Sequence, residues 1–362
     1  MNNAQRLHEL GQRLWLDNLS RELLETGTLS RYIRELSLTG LTSNPTIFDK
    51  AIRHGGLYDR TIQRAPSDRT DEALFFDLAI EDLCRAAALL RPAFEASNGA
   101  DGWVSLEVSP LLADDTKGTI EQVTELHAQA GIPNLFIKIP GTPAGVPAIE
   151  ECLVAGVPIN VTLLFSTAQY LASAEAYRRA MERRLVAGLA EPVRSVASLF
   201  VSRWDVAVAD KVPGQLRNRL GIAVAQQAYA AYRKLLDSPS WRGLADKGAA
   251  PQRLLFASTG TKDPSASDVL YVEALIAPDT INTMPDATLL AFAQHGSIED
   301  TLSAHADEAD AVLAEFAKAR VDTDALADEL QRDGAKAFIK SWNDLLSCVA
   351  AKRGRNTGSR AA

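Results

Sequence analysis

One ammonium group sits where the surrounding residues read as a buried strand: Lys138 lies between Ile137 and Ile139 in LFIKIP, residues 135–140. A buried lysine with no carboxylate beside it loses its charge readily, because desolvation disfavours the ammonium form, and the neutral amine is a nucleophile toward carbonyls. That is Schiff-base chemistry. An iminium is an electron sink that lets a neighbouring carbon–carbon bond break, and the break needs a base for the departing hydroxyl proton and a shuttle for the imine protons. Asp17 and Glu107 are the available carboxylates. Asn44, Asn160 and Ser198 are suited to orienting the hydroxyls of a polyhydroxylated substrate, which needs donors and acceptors rather than bulk charge.

What brings these residues together is strand parity, since side chains alternate between the two faces of a strand. In a barrel the outer face packs beneath helices and must be apolar, whereas the inner face near the carboxyl ends opens onto the site. If Leu135, Ile137 and Ile139 point outward, Phe136 and Lys138 point inward. In WVSLEV (103–108) Val104, Leu106 and Val108 go outward, leaving Ser105 and Glu107 inside. In PINVTLLF (158–165) Ile159, Val161 and Leu163 go outward, leaving Asn160 and Thr162 inside. In VASLFVS, Ala197, Leu199 and Val201 leave Ser198 and Phe200 inside, while Asp17 shares its face with Trp15 and Asn44 with Thr42. Each residue alone has a plainer explanation. A strand lysine snorkels at an edge, an aspartate at a strand end caps the next helix, and an asparagine before proline makes a turn. Independent accidents have no reason to share inward parity on six strands, which favours a common interior.

The elements required for this are visible in order. Besides the four runs above, LWLDNL (14–19), TGLTSNP (39–45), RLLFAS (253–258) and DTINTM (279–284) read as strands, giving eight. Amphipathic stretches such as SRELLETGTLSRYIREL, DEALFFDLAIEDLCRAAALLRPAFEA and STAQYLASAEAYRRAMERRLVAG lie between them. Eight strand–helix alternations with apolar strands predict an α/β fold, a closed (β/α)8 TIM-type barrel. An open doubly wound sheet is the alternative, and no GxGxxG or P-loop supports it. From 286 the pattern is helical and predicts helices that cover the barrel. Residues 1–350 read as one domain, and 351–362, small and basic, as a disordered tail.

After the seventh strand, LLFASTGTKDPSASD resembles an anion loop: Ser258 brings a hydroxyl, Gly260 allows close backbone approach and Lys262 brings charge. Barrels commonly bind phosphate in the loops after strands seven and eight. Arg203, in SRWD just past the sixth strand, can reach the same anion with a guanidinium fork. An ordinary Ser/Thr/Gly turn is the plainer reading of the loop alone. The 362 residues carry 38 basic and 46 acidic side chains, net −8, which argues against a broad nucleic-acid surface. Residues 1–20 lack an apolar core of signal-peptide length and no stretch approaches a membrane span, so a cytoplasmic protein without membrane partners is expected. Three separated cysteines without a CxxC predict buried thiols, and five scattered histidines offer no metal motif.

The motifs GLTSNPTIF, VSLEVSP, FIKIPGT, INVTLLFS, SLFVSRWD and FASTGTKDP, with NTMP near 285, resemble in order and spacing those of the transaldolase family, from about Asp17 to the last helix. ASTGTKDP and NTMP are similar to its longer subgroup. The resemblance implies a barrel of the class I aldolase kind, with the Schiff-base lysine, Lys138, on the fourth strand. It implies that Asp17 is the base for carbon–carbon cleavage, that Glu107 works through a water helped by Thr162, and that Asn44, Asn160, Ser198 and Phe200 contact the sugar. Arg203 and Ser258 would bind phosphate; where the best-known branch has an arginine two residues after that serine, this chain has Gly260, and the missing cation is assigned to Lys262. The implied reaction moves a dihydroxyacetone unit between phosphorylated sugars without metal or organic cofactor, in a monomer or a homodimer. Aldolases that release free dihydroxyacetone resemble this pattern but carry glutamine and tyrosine where this chain has Glu107 and Phe200. A barrel that keeps the phosphate site without catalysis is the rival of another class, and the lysine with both carboxylates weighs against it.

Overall fold

The computed structural model describes residues 1–189 and 191–354. Its eight strands are β1 (Arg13–Asp17), β2 (Leu38–Thr42), β3 (Val104–Glu107), β4 (Leu135–Pro140), β5 (Ile159–Leu164), β6 (Ser195–Phe200), β7 (Arg253–Ala257) and β8 (Ile281–Met284). Each of the eight expected runs supplies one. Parallel pairing runs from β2 through β1, β8, β7, β6, β5 and β4 to β3. The seam closes where Gly40 bridges to Trp103, with the Leu41 amide donating to the Trp103 carbonyl at 3.0 Å. An alanine Cβ at Gly40 would lie 2.5 Å from the Trp15 ring, so glycine is what lets that indole pack against β2 at this position. The architecture is a (β/α)8 barrel.

Parity sorts the core into two layers. Leu14, Leu16, Val104, Leu106, Ile137, Ile139, Val161 and Leu199 pack outward beneath the helices. Trp15, Phe136, Val196, Phe200, Leu255 and Ile281 fill the interior. Trp103 stacks on Phe136 with ring centroids 4.0 Å apart and Trp15 lies 6.1 Å from the same ring, so aromatic side chains plug the barrel below its carboxyl ends. Beneath the plug Arg13 and Arg253 clamp Asp101 at 2.7 and 2.9 Å. Polar groups in the upper layer are thereby shut off from the lower end.

Four expectations are corrected. Leu163 does not point outward: it adopts φ +57°, the pairing of β5 with β6 shifts register between Val161 and Leu164, and Leu164 takes the outward place. Leu163 turns into the inner layer instead. SRELLETGTLSRYIREL is two helices, Arg21–Glu25 and Thr28–Leu36, broken by Gly27 at φ +72°. Cys84 is exposed, whereas Cys152 and Cys348 are buried. The expected tail begins too early, because the last helix, Thr323–Lys352, runs into it and Arg353 is tied to Asp71 at 2.6 Å. The remainder of that tail, 355–362, lies outside the described residues.

The 30-residue helix Thr323–Lys352 is about 45 Å long at 1.5 Å per residue, enough to cross the barrel mouth. Gln331 fixes it there, its amide donating to the carbonyls of Gly141 (3.0 Å) and Leu163 (2.9 Å) at the ends of β4 and β5. We call it the roof helix. No helix among the described residues is long and apolar enough to cross a membrane.

Candidate active site

Register places the chemistry. Glu107, Lys138 and Asn160 are direct neighbours across β3, β4 and β5, all inward and all buried. The Lys138 Nζ lies 3.0 Å from Glu107 Oε2 and 3.5 Å from the Ser43 carbonyl. The sequence reading assumed an amine without a carboxylate beside it, and the structure corrects this: inward parity on two adjacent strands brings the carboxylate to it. Burial holds the Glu107 carboxyl above its ordinary pKa, against the pull of the Lys138 charge. Glu107 can therefore accept a proton from the amine and return it, which is what imine chemistry requires.

Around this pair the side chains form two hydrogen-bonded sets. Asn160 donates to Ser105 Oγ at 3.2 Å and accepts from Ser198 Oγ at 2.7 Å, so both ends of the amide are fixed in the interior. Asp17 accepts from Thr42 Oγ1 at 2.8 Å, and Thr42 is 2.9 Å from Thr283 Oγ1. Asp17 is not a helix cap; Ser20 caps the following helix by accepting from the Leu23 amide. Asn44 does cap a helix, Pro45–His54, through its bond from the Ile47 amide, and it also lines the cavity. Thr162 Oγ1 is buried with no hydrogen-bond partner among the described residues, leaving it available to a ligand or a water.

A cavity of about 110 Å³ opens at the carboxyl ends of the strands. Asp17, Asn44, Lys138, Thr162, Ser198, Phe200, Arg203, Ser258, Gly260 and Lys262 are among its lining residues, and Glu107 and Asn160 are hydrogen-bonded to two of them, Lys138 and Ser198. At the end of the cavity near Arg203 and Gly260, Ser258 adopts φ +57° and its hydroxyl meets Ser202 Oγ at 3.0 Å. That strained backbone turns the loop over the barrel. Burial pulls the Arg203 guanidinium below its ordinary pKa, offset by the charges of Glu107 and Asp17. Lys262 is exposed at the rim, shared with the cleft that holds Arg217 and Asp263. An exposed charge contributes modestly, about 0.2–1 kcal/mol, so if Lys262 binds an anionic substrate, Lys262→Ala is expected to raise KM by about 1.4- to fivefold. Steady-state kinetics on the variant check this, and an unchanged KM assigns the cation elsewhere.

Besides Ala257 and Pro285, the cavity is lined by three residues that the sequence did not mark as candidates: Thr42, Thr283 and Phe338. The threonines look like ordinary β-formers, though both share the inward parity that flagged their neighbours. Phe338 comes from the roof helix, and nothing local marks it.

A parallel eight-stranded barrel whose strand ends bring together a buried lysine, two carboxylates and a guanidinium without a hydrogen-bond partner among the described residues has the arrangement of a TIM-barrel enzyme site. Residues 14–349 match the family model described as transaldolase/fructose-6-phosphate aldolase. A protein of Thiobacillus denitrificans named transaldolase is 45% identical over 96% of this chain and 100% of its own length. Transaldolases of Parafrankia sp. (43%; 96% and 97% covered) and Thermobifida fusca (42%; 98% and 99% covered) are similarly close. The chain belongs to the transaldolase/fructose-6-phosphate aldolase family.

Proposed function

We propose that this chain is a transaldolase of the pentose phosphate pathway, a transferase that moves a dihydroxyacetone unit from sedoheptulose 7-phosphate or fructose 6-phosphate to glyceraldehyde 3-phosphate or erythrose 4-phosphate. The observation that carries the reading is the buried pair of Lys138 and Glu107 at 3.0 Å, with Asp17 lining the cavity above it. The Lys138 amine adds to the ketose carbonyl, and loss of water, with Glu107 moving the protons, leaves an iminium. Asp17 takes the proton of the C4 hydroxyl. The bond between C3 and C4 breaks, its electrons pass into the iminium, and the aldose phosphate leaves. The resulting enamine attacks the acceptor aldehyde, Asp17 returns the proton, and hydrolysis frees Lys138. Asn44, Asn160 and Ser198 hold the three-carbon unit, Phe200 walls it, and Arg203, Ser258 and Lys262 take the phosphate. The substrates are polyanions that do not cross bilayers, which favours the cytoplasm as the site of action.

Incubation with fructose 6-phosphate and borohydride, with and without erythrose 4-phosphate, tests this. Expected are a three-carbon adduct on Lys138 without acceptor and sedoheptulose 7-phosphate with it. Free dihydroxyacetone as the main product would make the chain an aldolase, and an adduct on another lysine would remove Lys138 from the chemistry.

A further inference from the structure

We propose that Phe338 is a positioning residue for Arg203, and through it a determinant of the preference for phosphorylated over unphosphorylated sugars. This rests on the reading of Arg203 as the guanidinium that takes phosphate. Arg203 is largely buried, yet among the described residues no carboxylate or carbonyl accepts from its guanidinium. Two rings hold it instead. Its Cζ lies 5.2 Å from the Phe200 ring centroid and 5.8 Å from that of Phe338, within cation–π range of both.

The distinction between rings and an ion pair matters for an anion site. A carboxylate would fix the guanidinium equally well, but it would compete with phosphate for the same N–H groups and repel the incoming charge. Aromatic faces restrain the cation and leave its donors free. Phe338 also lies 5.8 Å from Lys138 Nζ, so one ring spans the reactive amine and the anion-binding group.

The roof helix is shaped for this contact. Gln331, Gly334 and Phe338 are spaced three and four apart and fall on one face. Gln331 anchors the helix to Gly141 and Leu163, as described above. At Gly334 an added Cβ would stand 2.9 Å from Leu163 Cδ2 and 3.2 Å from Arg203 Nη1. Gly334 therefore makes room for the guanidinium between helix and barrel, one turn before the ring that restrains it.

Steady-state kinetics with fructose 6-phosphate and with fructose, each with the same acceptor, test the proposal. Phe338→Leu keeps the apolar volume but removes the ring face; it is expected to lower kcat/KM for the phosphorylated donor about tenfold more than for fructose, chiefly through KM, and Phe338→Tyr is expected to restore it. Gly334→Ala, which presses on the guanidinium from the same face, is expected to discriminate in the same direction, and it serves if Phe338→Leu folds poorly. Equal losses on both donors, or none, would overturn the positioning role and leave Phe338 as roof packing. Arg203→Ala in parallel keeps the two ideas separable: if it does not discriminate between the donors, the assignment of Arg203 to phosphate fails, whereas discrimination by Arg203→Ala but not by the Phe338 and Gly334 variants overturns only the inference.

Discussion

Replacing Lys138 with methionine is expected to lower kcat by about 10⁴-fold or more and to abolish the borohydride adduct, because the other lysine lining the cavity among the described residues, Lys262, is exposed at its rim. Methionine matches the stem of lysine in length and flexibility, so the strand packing between Ile137 and Ile139 is retained. The change leaves Glu107 buried without its cation. Its carboxyl, already held above the ordinary range by burial, takes up a proton instead of remaining as an isolated charge. The folded variant should therefore be recoverable, and a cooperative melt on the same sample separates loss of chemistry from loss of fold. Activity within tenfold of the parent would remove the lysine from the mechanism. Glu107 then has no proton to shuttle, and the proposed function goes with it.

Asp17→Asn is expected to divide the reaction in two. Asparagine can still accept from Thr42 Oγ1 through its own oxygen, so the arrangement of β1, β2 and Thr283 is retained while the base is lost. Imine formation depends on Lys138 and Glu107 and should continue. Cleavage should slow by about 10²- to 10⁴-fold, the usual contribution of a positioned base. Mass spectrometry after borohydride reduction reads this directly: the adduct formed from fructose 6-phosphate should change from a three-carbon fragment to the intact phosphorylated hexose. A three-carbon adduct formed at the parental rate would assign the base elsewhere.

Much of the barrel could be read before it was seen, for a definite reason. Its strands are covered on the outside by helices and filled on the inside, so the outward positions are uniformly aliphatic and polar residues stand out on the opposite face. Lys138, Glu107, Asn160 and Ser198 were legible by that contrast alone. Leu163 was not, because a bulge moves it to the other face, and a leucine at positive φ carries no mark in the sequence. The ion pair between Lys138 and Glu107 needed register as well as parity: both residues were known to point inward, and only pairing across β3 and β4 makes them neighbours. Asn44 shows that a plain reading and a functional one can both hold, since it caps a helix and lines the cavity at once. Phe338 lies far along the chain from Lys138 and Arg203, whose charged groups it meets, and the amphipathic pattern of its helix says that one face is buried without saying against what.

The order in which the chain is made gives the roof helix a further meaning. Translation supplies β1 to β8 before any of the residues that cross the mouth, and the stretch from Met284 to Phe338 takes on the order of several seconds to synthesise. During that interval the nascent chain already carries the amine, its carboxylates and the Phe200 ring, but not Phe338, the second ring over Arg203. On the proposed role of Phe338, carbonyl reactivity and the anion-binding groups are thus encoded early in the chain, and the last restraint on the guanidinium late. A polypeptide halted after the eighth strand would keep its nucleophile, Arg203 and the Phe200 ring while lacking the second ring over the guanidinium.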